Sequence, residues 1–249
     1  MSYYNELIND SLDKKESDPK NRFISITERE DFSDIPKMTW APLLANSYIQ
    51  TWKSVILNKG PLEIAIYPML LYELRPQTII ELGALNGGSA IWLADLLESF
   101  AIKCSIYSLD IELSLLHEKA KTDKRIHFLQ GDCNNLRASL SPQFLAKLPH
   151  PWLIIEDAHV NLTGVLEYFH SNGLQSKDYL IVEDTNIYMW EYWKENGGDK
   201  KEVQSGLRKL TDLRHWLLSH PDEYLIDTHY QDMFGKNGSK CWNSILKKQ

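Results

Sequence analysis

Cysteine is scarce in this sequence, and its few cysteines are not spaced as metal ligands or disulfide partners usually are. The 249 residues include Cys104, Cys133 and Cys241, with no C-x-x-C pair among them. An odd and widely spaced set argues against a disulfide framework and against a structural zinc site, and it favours a reducing compartment. We therefore expect the fold to depend on its apolar core.

Long apolar runs and an excess of basic residues are also lacking. No stretch of about 18 apolar residues could cross a membrane, and the polar N-terminus lacks the apolar region of a signal peptide. We expect a cytoplasmic protein without a membrane partner. Lys and Arg number 27 against 34 Asp and Glu, a net charge of −7. This balance disfavours a nucleic-acid partner, because phosphate backbones attract positive surfaces.

What the sequence does contain is an alternation of short apolar strands and helical segments, with 43% apolar residues to fill a core. Strands are predicted at 77–83, 104–110, 126–130, 151–156, 179–183, 224–230 and 241–247, and helices at 43–57, 61–75, 88–100, 162–171 and 201–219. This alternation predicts a doubly wound α/β fold with a mostly parallel sheet. The last two strands are joined too closely for a helical crossover, so we expect an antiparallel hairpin.

The chain is predicted to divide into an N-terminal extension, residues 1–40, and a domain spanning 41–249. The first 22 residues are polar, and no internal repeat or low-complexity linker follows. The extension could act as a lid over a site or contact a neighbouring subunit in a homo-oligomer.

A glycine-rich turn follows the first strand of the parallel series, with the sequence Glu81-Leu82-Gly83-Ala84-Leu85-Asn86-Gly87-Gly88-Ser89. Glycines let a backbone approach a ligand closely, and open α/β sheets bind ligands beyond the carboxyl ends of their strands. The spacing matches neither G-x-G-x-x-G nor G-x-x-x-x-G-K-[ST], and Glu81 would repel a pyrophosphate. The alternative is a plain tight turn.

Two further acids end the next strands. Asp110 precedes Ile111 at the end of the second strand, and Asp132 precedes Cys133 after the third. A carboxylate at such a tip can accept both hydroxyls of a ribose, and Asp132 could accept an adenine amino hydrogen. Asp110 alone could equally be a solvated helix cap. With Glu81, however, these residues bring three acids to one edge of the sheet.

The fourth and fifth strands each end in an acidic pair, within Glu156-Asp157-Ala158-His159 and Glu183-Asp184-Thr185-Asn186. Carboxylates brought together at one edge repel unless they are neutralised. A cluster of oxygen ligands suits Mg²⁺, Mn²⁺ or Ca²⁺ rather than zinc. The alternative is two independent pairs of exposed loop acids.

Two neighbouring features could belong to the same site. His159 is a candidate general base or substrate-orienting donor, or else a structural hydrogen-bond partner. The segment Ile187–Trp193 has four aromatics in seven residues, which suits a substrate-facing lid or a helix turn packed on the core.

The glycine turn, the Leu109-Asp110 tip and Gly131-Asp132 resemble those of class I S-adenosylmethionine-dependent methyltransferases. Three segments are similar to the cephalosporin hydroxylase family, which also covers rhamnosyl O-methyltransferases: KGPLEIAIYPMLLYELRPQTIIELGALNGGSA, LIIEDAHVN and YLIVEDTN. The similarity extends over residues 50–190. The turn departs from the family pattern at Ala84-Leu85-Asn86, where a second G-x-G is expected.

The resemblance implies a Rossmann-like methyltransferase domain with a seven-stranded sheet and bound S-adenosylmethionine. By this resemblance, Asp157, Glu183 and Asp184 correspond to ligands of Mg²⁺, for which Mn²⁺ could substitute. Cofactor positions fall at Glu81, Gly83, Ser89, Asp110 and Asp132, to which we add the neighbours Ala84, Asn86, Gly88, Ile111 and Cys133.

The predicted function is therefore a metal-dependent O-methyltransferase acting on a hydroxyl of a small molecule, such as a sugar or a natural-product intermediate. Methyl transfer depends chiefly on positioning. A metal ion lowers the pKa of the acceptor hydroxyl, and Asp157 or His159 takes its proton. One alternative is a non-haem iron oxygenase, which the single histidine among the acidic tips weakens. Another is a non-catalytic ligand-binding protein of the same fold, against which the intact acids argue.

Overall fold

The structure is a computed structural model that describes residues 2–16 and 19–249. Its strands are β1 (Phe23–Ile24), β2 (Thr51–Trp52), β3 (Val55–Ile56), β4 (Thr78–Leu82), β5 (Ser105–Asp110), β6 (Ile126–Gln130), β7 (Trp152–Glu156), β8 (Tyr179–Val182), β9 (Tyr224–Asp227) and β10 (Ile245–Lys248). Its α-helices are α1 (Tyr3–Glu16), α2 (Pro19–Arg22), α3 (Trp40–Ala45), α4 (Pro61–Leu74), α5 (Gly88–Ser99), α6 (Glu118–Lys121), α7 (Leu136–Ser139), α8 (Pro142–Leu145), α9 (Leu162–Asn172), α10 (Ile187–Glu195), α11 (Lys200–Leu218) and α12 (Thr228–Gln231). Short 3₁₀ helices lie at Ile26–Glu28, Lys37–Thr39, Ser47–Ile49, Leu113–Leu115 and Cys133–Asn135.

The main sheet has the order β1-β9-β10-β8-β7-β4-β5-β6. The pairs from β8 to β6 are parallel, whereas β10 runs antiparallel to both β8 and β9. This confirms the predicted α/β fold with a C-terminal antiparallel hairpin. The sheet has eight strands rather than seven, because Phe23 and Ile24 of the N-terminal extension pair antiparallel with β9.

The predicted helix over residues 43–57 is wrong. Helix α3 ends at Ala45, and the chain then forms an antiparallel hairpin from β2 and β3. Lys53 and Ser54 have φ angles of 50° and 67°, which a right-handed helix cannot accommodate. The hairpin contacts α5, where the Trp52 indole donates to Asp95 at 2.7 Å.

Alternate residues of the central strands face two different cores. On β7, Leu153 and Ile155 pack in the core that contains α4 and α5, whereas Trp152 and Ile154 pack in the core that contains α9 and α11. Because side chains alternate along a strand, Glu156 continues the α11 side. The equivalent alternation on β8 directs the next acid, Glu183, toward α4.

The parallel strands β4 to β8 all end at one edge of the sheet, and their connecting loops leave from it. This edge carries the acids that the sequence places at strand ends. Across residues 2–16 and 19–249, every helix is too short or too polar to traverse a bilayer.

Candidate active site

A cleft of about 560 Å³ opens at the carboxyl ends of the parallel strands. The predicted site residues that line it are Gly83, Asp110, Ile111, Asp132, Cys133, Asp157, His159 and Asp184. Helix α10 adds a wall of Met189, Trp190 and Trp193, and Tyr48 faces the cleft from the region after α3. The structure therefore brings most of the predicted residues to one cavity.

The glycine turn brings two strand tips close together. Gly83 has φ of 100°, and a Cβ atom there would lie 2.6 Å from the Asp157 carbonyl oxygen, so a side chain is excluded. Gly88 is required for a different reason, since a Cβ atom would lie 1.9 Å from the Ile56 carbonyl oxygen. Gly83 thus shapes the cleft, whereas Gly88 lets the β2–β3 hairpin pack against α5.

Several residues predicted to contact a cofactor lie beneath the cleft surface. Glu81 is buried and accepts hydrogen bonds from the Ser89 and Ser108 hydroxyls. Burial raises the pKa of Glu81, although Lys59 and the two serines oppose that rise. The Asn86 side chain accepts from the Ile56 N–H and donates to the Leu115 carbonyl.

Ala84 is likewise buried. Together with Glu81, Asn86, Gly88 and Ser89, it is absent from the lining of the cleft in this structure.

The half of the cleft at β5 and β6 is called here the Asp110 half. Asp110 accepts the N–H of Leu85 at 2.8 Å and of Glu112 at 3.2 Å. A carboxylate has about four lone-pair sites, so acceptor capacity remains after these two bonds. Ile111 is 67% exposed and offers an apolar surface alongside.

Asp132 and Cys133 complete this half. Asp132 accepts the Asn134 N–H at 2.8 Å and so caps the 3₁₀ helix that follows. Burial raises the pKa of the Cys133 thiol to about 12, so this side chain is neutral. The Asp110 half therefore combines fixed acceptors with uncharged surface.

The half at β7 and β8 contains buried lysines that the sequence analysis did not place there, and it is called here the lysine half. Lys59 lies between two acids, with its Nζ 2.8 Å from Asp157 Oδ2 and 3.1 Å from Glu183 Oε1. The Nζ of Lys209 is 2.8 Å from Glu156 Oε2.

A third lysine, Lys240, has its Nζ 3.7 Å from Asp184 Oδ1. The three ammonium groups offset the repulsion expected among the acids at these strand tips.

The charge states in the lysine half follow from this pairing. Burial alone would lower the pKa of Lys59, but the Asp157 and Glu183 carboxylates raise it well above its ordinary value. Burial likewise opposes the charge on Asp184, yet Lys240 and Lys209 hold its pKa below the ordinary range. Lys59 and Asp184 are therefore charged at neutral pH.

A second layer of groups fixes this network from the α4 side. The Tyr67 hydroxyl donates to Glu183 Oε1, and Glu63 Oε1 accepts the Lys240 backbone N–H at 2.8 Å. Burial, with a contribution from the nearby Glu183, raises the pKa of Glu63 to about 6. Lys240, which lies in the loop before β10, is thereby held next to α4.

The carboxylate oxygens of the lysine half are the type of ligand that a hard divalent cation prefers. The Asp157 side chain is 27% exposed at the cleft, and Asp184 Oδ1 is buried without a hydrogen-bond partner. Carboxylate oxygens in these positions suit Mg²⁺ or Mn²⁺. The third predicted ligand, Glu183, is buried and accepts from Lys59 and Tyr67.

These three carboxylates are not gathered around one point. In the described part of the chain, the one trio of His, Cys, Asp or Glu whose donor atoms all lie within 4.8 Å of one another is a different one. The positive charge between Asp157 and Glu183 is supplied by the Lys59 ammonium group.

His159 lies at the mouth of the cleft. Its ring packs edge-on against Trp190, with 5.5 Å between centroids, and the Trp190 indole donates to the Asp184 carbonyl at 2.6 Å. His159 is the one histidine among the described residues that line the cleft. The cleft thus lacks, in that part of the chain, the second histidine that a 2-His-1-carboxylate iron site needs.

The burial of one of these lysines, Lys209, could have been recognised from the sequence. Val203, Gly206, Leu210 and Leu213 form the buried face of α11, and Lys209 lies on that same face. A lysine on the apolar side of an amphipathic helix indicates a buried acidic partner. Lys59 and Lys240 lie in loops, where no periodicity could show their burial.

The chain is similar to known proteins both in its sequence family and in its structure. The model of the family described as Rhamnosyl O-methyltransferase/CmcI matches residues 45–247. A rhamnosyl O-methyltransferase of Mycobacterium tuberculosis is 27% identical over 142 residues, which is 56% of this chain and 56% of that protein. One of Mycobacterium leprae is 25% identical over 139 residues, 55% of this chain and 61% of that protein. The matched chain thus spans little more than half the length of these relatives.

Solved structures of CmcI are similar over most of the chain. One described as its Mg-SAM form has a TM-score of 0.64 and 26% identity, covering 96% of this chain and 95% of that one. Another, with SAH, has a TM-score of 0.61 and 27% identity, covering 89% of this chain and 94% of that one.

Proposed function

The chain belongs to the rhamnosyl O-methyltransferase/CmcI family, and on that premise we propose that it transfers a methyl group from S-adenosylmethionine to a hydroxyl of a small acceptor, with the help of a divalent metal ion. The observation that carries the proposal is the composition of the cleft. Fixed acceptors and apolar surface lie in the Asp110 half, and Asp157 and Asp184 lie in the lysine half of the same cavity.

We assign the adenosine to the Asp110 half. Asp110 is held at the tip of β5 with acceptor capacity for ribose hydroxyls, and Ile111 offers an apolar face for the adenine ring. Asp132 lies within the same lining. When bound, the cofactor supplies a methyl group on a positively charged sulfur. The CmcI structure described as a Mg-SAM form supports this assignment.

We assign the metal ion to the lysine half, with Asp157 and Asp184 as cleft-facing ligands and Glu183 behind them. When bound, the ion supplies positive charge that favours the ionised form of the acceptor hydroxyl. Lys59, Lys209 and Lys240 keep the surrounding acids in place. Asp157 and His159 are the groups positioned to accept the hydroxyl proton.

The aromatic wall suits a sugar ring, whose C–H face can stack on an aromatic ring, or a natural product with a similar apolar face. Trp193 from α10 and Tyr48 both line the cavity with amphipathic rings, and Trp190, which is 2% exposed, packs behind its surface. These side chains would orient the acceptor hydroxyl toward the methyl group and exclude water, which is the main requirement of an in-line displacement. The relatives' name, rhamnosyl O-methyltransferase, supports a sugar acceptor.

The test is transfer of a labelled methyl group from S-adenosylmethionine to a panel of acceptors, starting with rhamnosides and other hydroxylated sugars. We expect a methyl ether product that disappears with EDTA and returns with Mg²⁺. Full transfer by Asp184→Asn in the presence of EDTA would overturn the metal assignment. Absence of cofactor binding with and without Mg²⁺ would overturn the methyltransferase assignment itself.

A further inference from the structure

A trio of metal-ligand side chains lies at the opposite edge of the sheet from the cleft. His170 is in the last turn of α9, His220 follows α11, and Glu223 directly precedes β9. One donor atom from each lies within 4.8 Å of the other two. Strand β9 runs in the same direction as β8, since both are antiparallel to β10. Its amino end is therefore far from the carboxyl edge that holds the cleft.

The two imidazoles are oriented by neighbouring groups. His220 Nδ1 lies 3.0 Å from the Trp216 carbonyl oxygen, and a carbonyl can only accept. Nδ1 therefore carries the proton, which leaves the Nε2 lone pair available for a ligand. His170 Nδ1 lies 3.0 Å from the Tyr224 hydroxyl. Hydrogen bonds of this kind fix the rings of metal-binding histidines in many proteins.

We propose that His170, His220 and Glu223 bind a transition-metal ion of the zinc type, independently of the cleft. Two imidazole nitrogens and one carboxylate oxygen favour Zn²⁺, Co²⁺ or Ni²⁺ over Mg²⁺. The side chains of His170 and Glu223 are 24% and 45% exposed, so a water molecule can complete the coordination. Ligands around a tetrahedral zinc ion lie roughly 3.4 Å apart. The donor atoms of the trio lie within 4.8 Å of one another, so each pair has to approach by at most about 1.4 Å on binding.

Two other charged groups lie near the trio and affect its affinity for a metal ion. Lys248 Nζ lies 2.9 Å from Glu223 Oε2 and competes with a metal ion for that carboxylate. Glu167, one helical turn before His170, accepts the Trp216 indole N–H at 3.2 Å and adds negative charge to this region. Removing the Lys248 charge should therefore strengthen metal binding, whereas removing the Glu223 charge should weaken it.

The test titrates the full, EDTA-treated chain with Zn²⁺ by calorimetry and with Co²⁺ by visible absorption, both in excess Mg²⁺ to occupy the cleft. We expect one equivalent to bind, with Co²⁺ giving the intense bands of a four-coordinate site. His220→Ala and Glu223→Gln should weaken binding about tenfold or more, and Lys248→Met should tighten it. Glu223 is exposed enough that Glu223→Gln should leave the fold intact, which circular dichroism checks.

Two controls separate this site from the rest of the molecule. Asp184→Asn, in the cleft, and His215→Ala, an exposed histidine of α11 outside the trio, should bind Zn²⁺ like the parent chain. Equal affinity in the parent chain, His220→Ala and Glu223→Gln would overturn the proposal, and so would the absence of binding in the parent chain.

Discussion

The two halves of the cleft use the same residue type in opposite surroundings. In the Asp110 half, a partly exposed carboxylate is held by two backbone N–H groups. In the lysine half, Glu156 and Glu183 are buried and each faces a buried ammonium group. Neutral donors leave a carboxylate free to accept ligand hydroxyls, whereas buried carboxylates need cations. The surroundings, more than the residue type, determine what each acid can bind.

The largest effect should come from the metal ligand that has an orphaned oxygen. Asp184→Asn removes the negative charge of a carboxylate whose Oδ1 is buried without a hydrogen-bond partner. A metal ion contributes several kcal/mol to such a step, so methyl transfer should fall roughly 10²–10⁴-fold. The measurement is the initial rate at saturating S-adenosylmethionine with excess Mg²⁺.

The matched control is Asp10→Asn on the exposed helix α1, which should keep the parent rate. If Asp184→Asn also keeps it, the lysine half has no catalytic metal.

The second effect concerns stability. Lys59→Met leaves Asp157 and the buried Glu183 without their shared ammonium, and breaking a buried pair costs about 3–5 kcal/mol in the free energy of unfolding. Excess Mg²⁺ should restore part of this loss if the ion takes over the same carboxylates. Urea unfolding with and without Mg²⁺ measures both quantities.

Lys53→Met provides the comparison, because Lys53 is 57% exposed in its pair with Asp95. An exposed pair contributes about 0–1 kcal/mol. Equal losses for the two variants would mean that the lysine half does not depend on its buried cation.

The third effect is confined to the Asp110 half. Asp110→Asn weakens the acceptor proposed for the ribose hydroxyls, and a hydrogen bond to a charged group contributes about 1.5–3 kcal/mol. We therefore expect roughly 10–100-fold weaker binding of both S-adenosylmethionine and S-adenosylhomocysteine, by calorimetry. A loss restricted to one of the two compounds would contradict a ribose contact, because both contain the same adenosine.

The smallest effect is a dependence of the free energy of unfolding on pH, which we expect from Glu63, beside the lysine half. The pKa of Glu63 is raised from 4.5 to about 6, so the folded state binds more protons in that interval and stability falls as the pH rises through it. The fall amounts to at most about 2 kcal/mol. Glu63→Gln should therefore gain stability relative to the parent between pH 4.5 and 6, and the gain should level off above.

Unfolding by urea at several pH values measures this difference. Glu118→Gln, at an exposed pair with Lys121, is the control and should not show the same rise. A flat difference for Glu63→Gln would mean that its carboxyl is not destabilised by burial.

The sequence was sufficient to predict seven of the eight strands of the main sheet, their alternation with helices and the acids at their ends, because these depend on local patterns. The hairpin at 51–56 was missed because its turn depends on positive φ angles at Lys53 and Ser54, two residues that do not usually mark one. Lys59 and Lys240 come from loops more than 50 residues away from the acids that they meet. Such pairings depend on the folded topology, which no local pattern encodes.

The division of the acidic pair after β8 was not predicted, because the sequence analysis placed Glu183 and Asp184 at one metal site. Asp184 follows the end of β8 and has a φ of 58°, so the alternation of a strand does not fix its direction. Which of the two faces the cleft depends on the side that α4 occupies, and Tyr67 of α4 holds Glu183 in the buried layer.

The most direct test of the account is a pair of calorimetric titrations, with S-adenosylmethionine and with Mn²⁺, on the parent chain, Asp110→Asn and Asp184→Asn. We expect Asp110→Asn to lose affinity for the cofactor alone and Asp184→Asn to lose affinity for the metal ion alone. If both variants lose both ligands to the same extent, or neither variant loses either, the two halves of the cleft do not have the separate roles assigned to them.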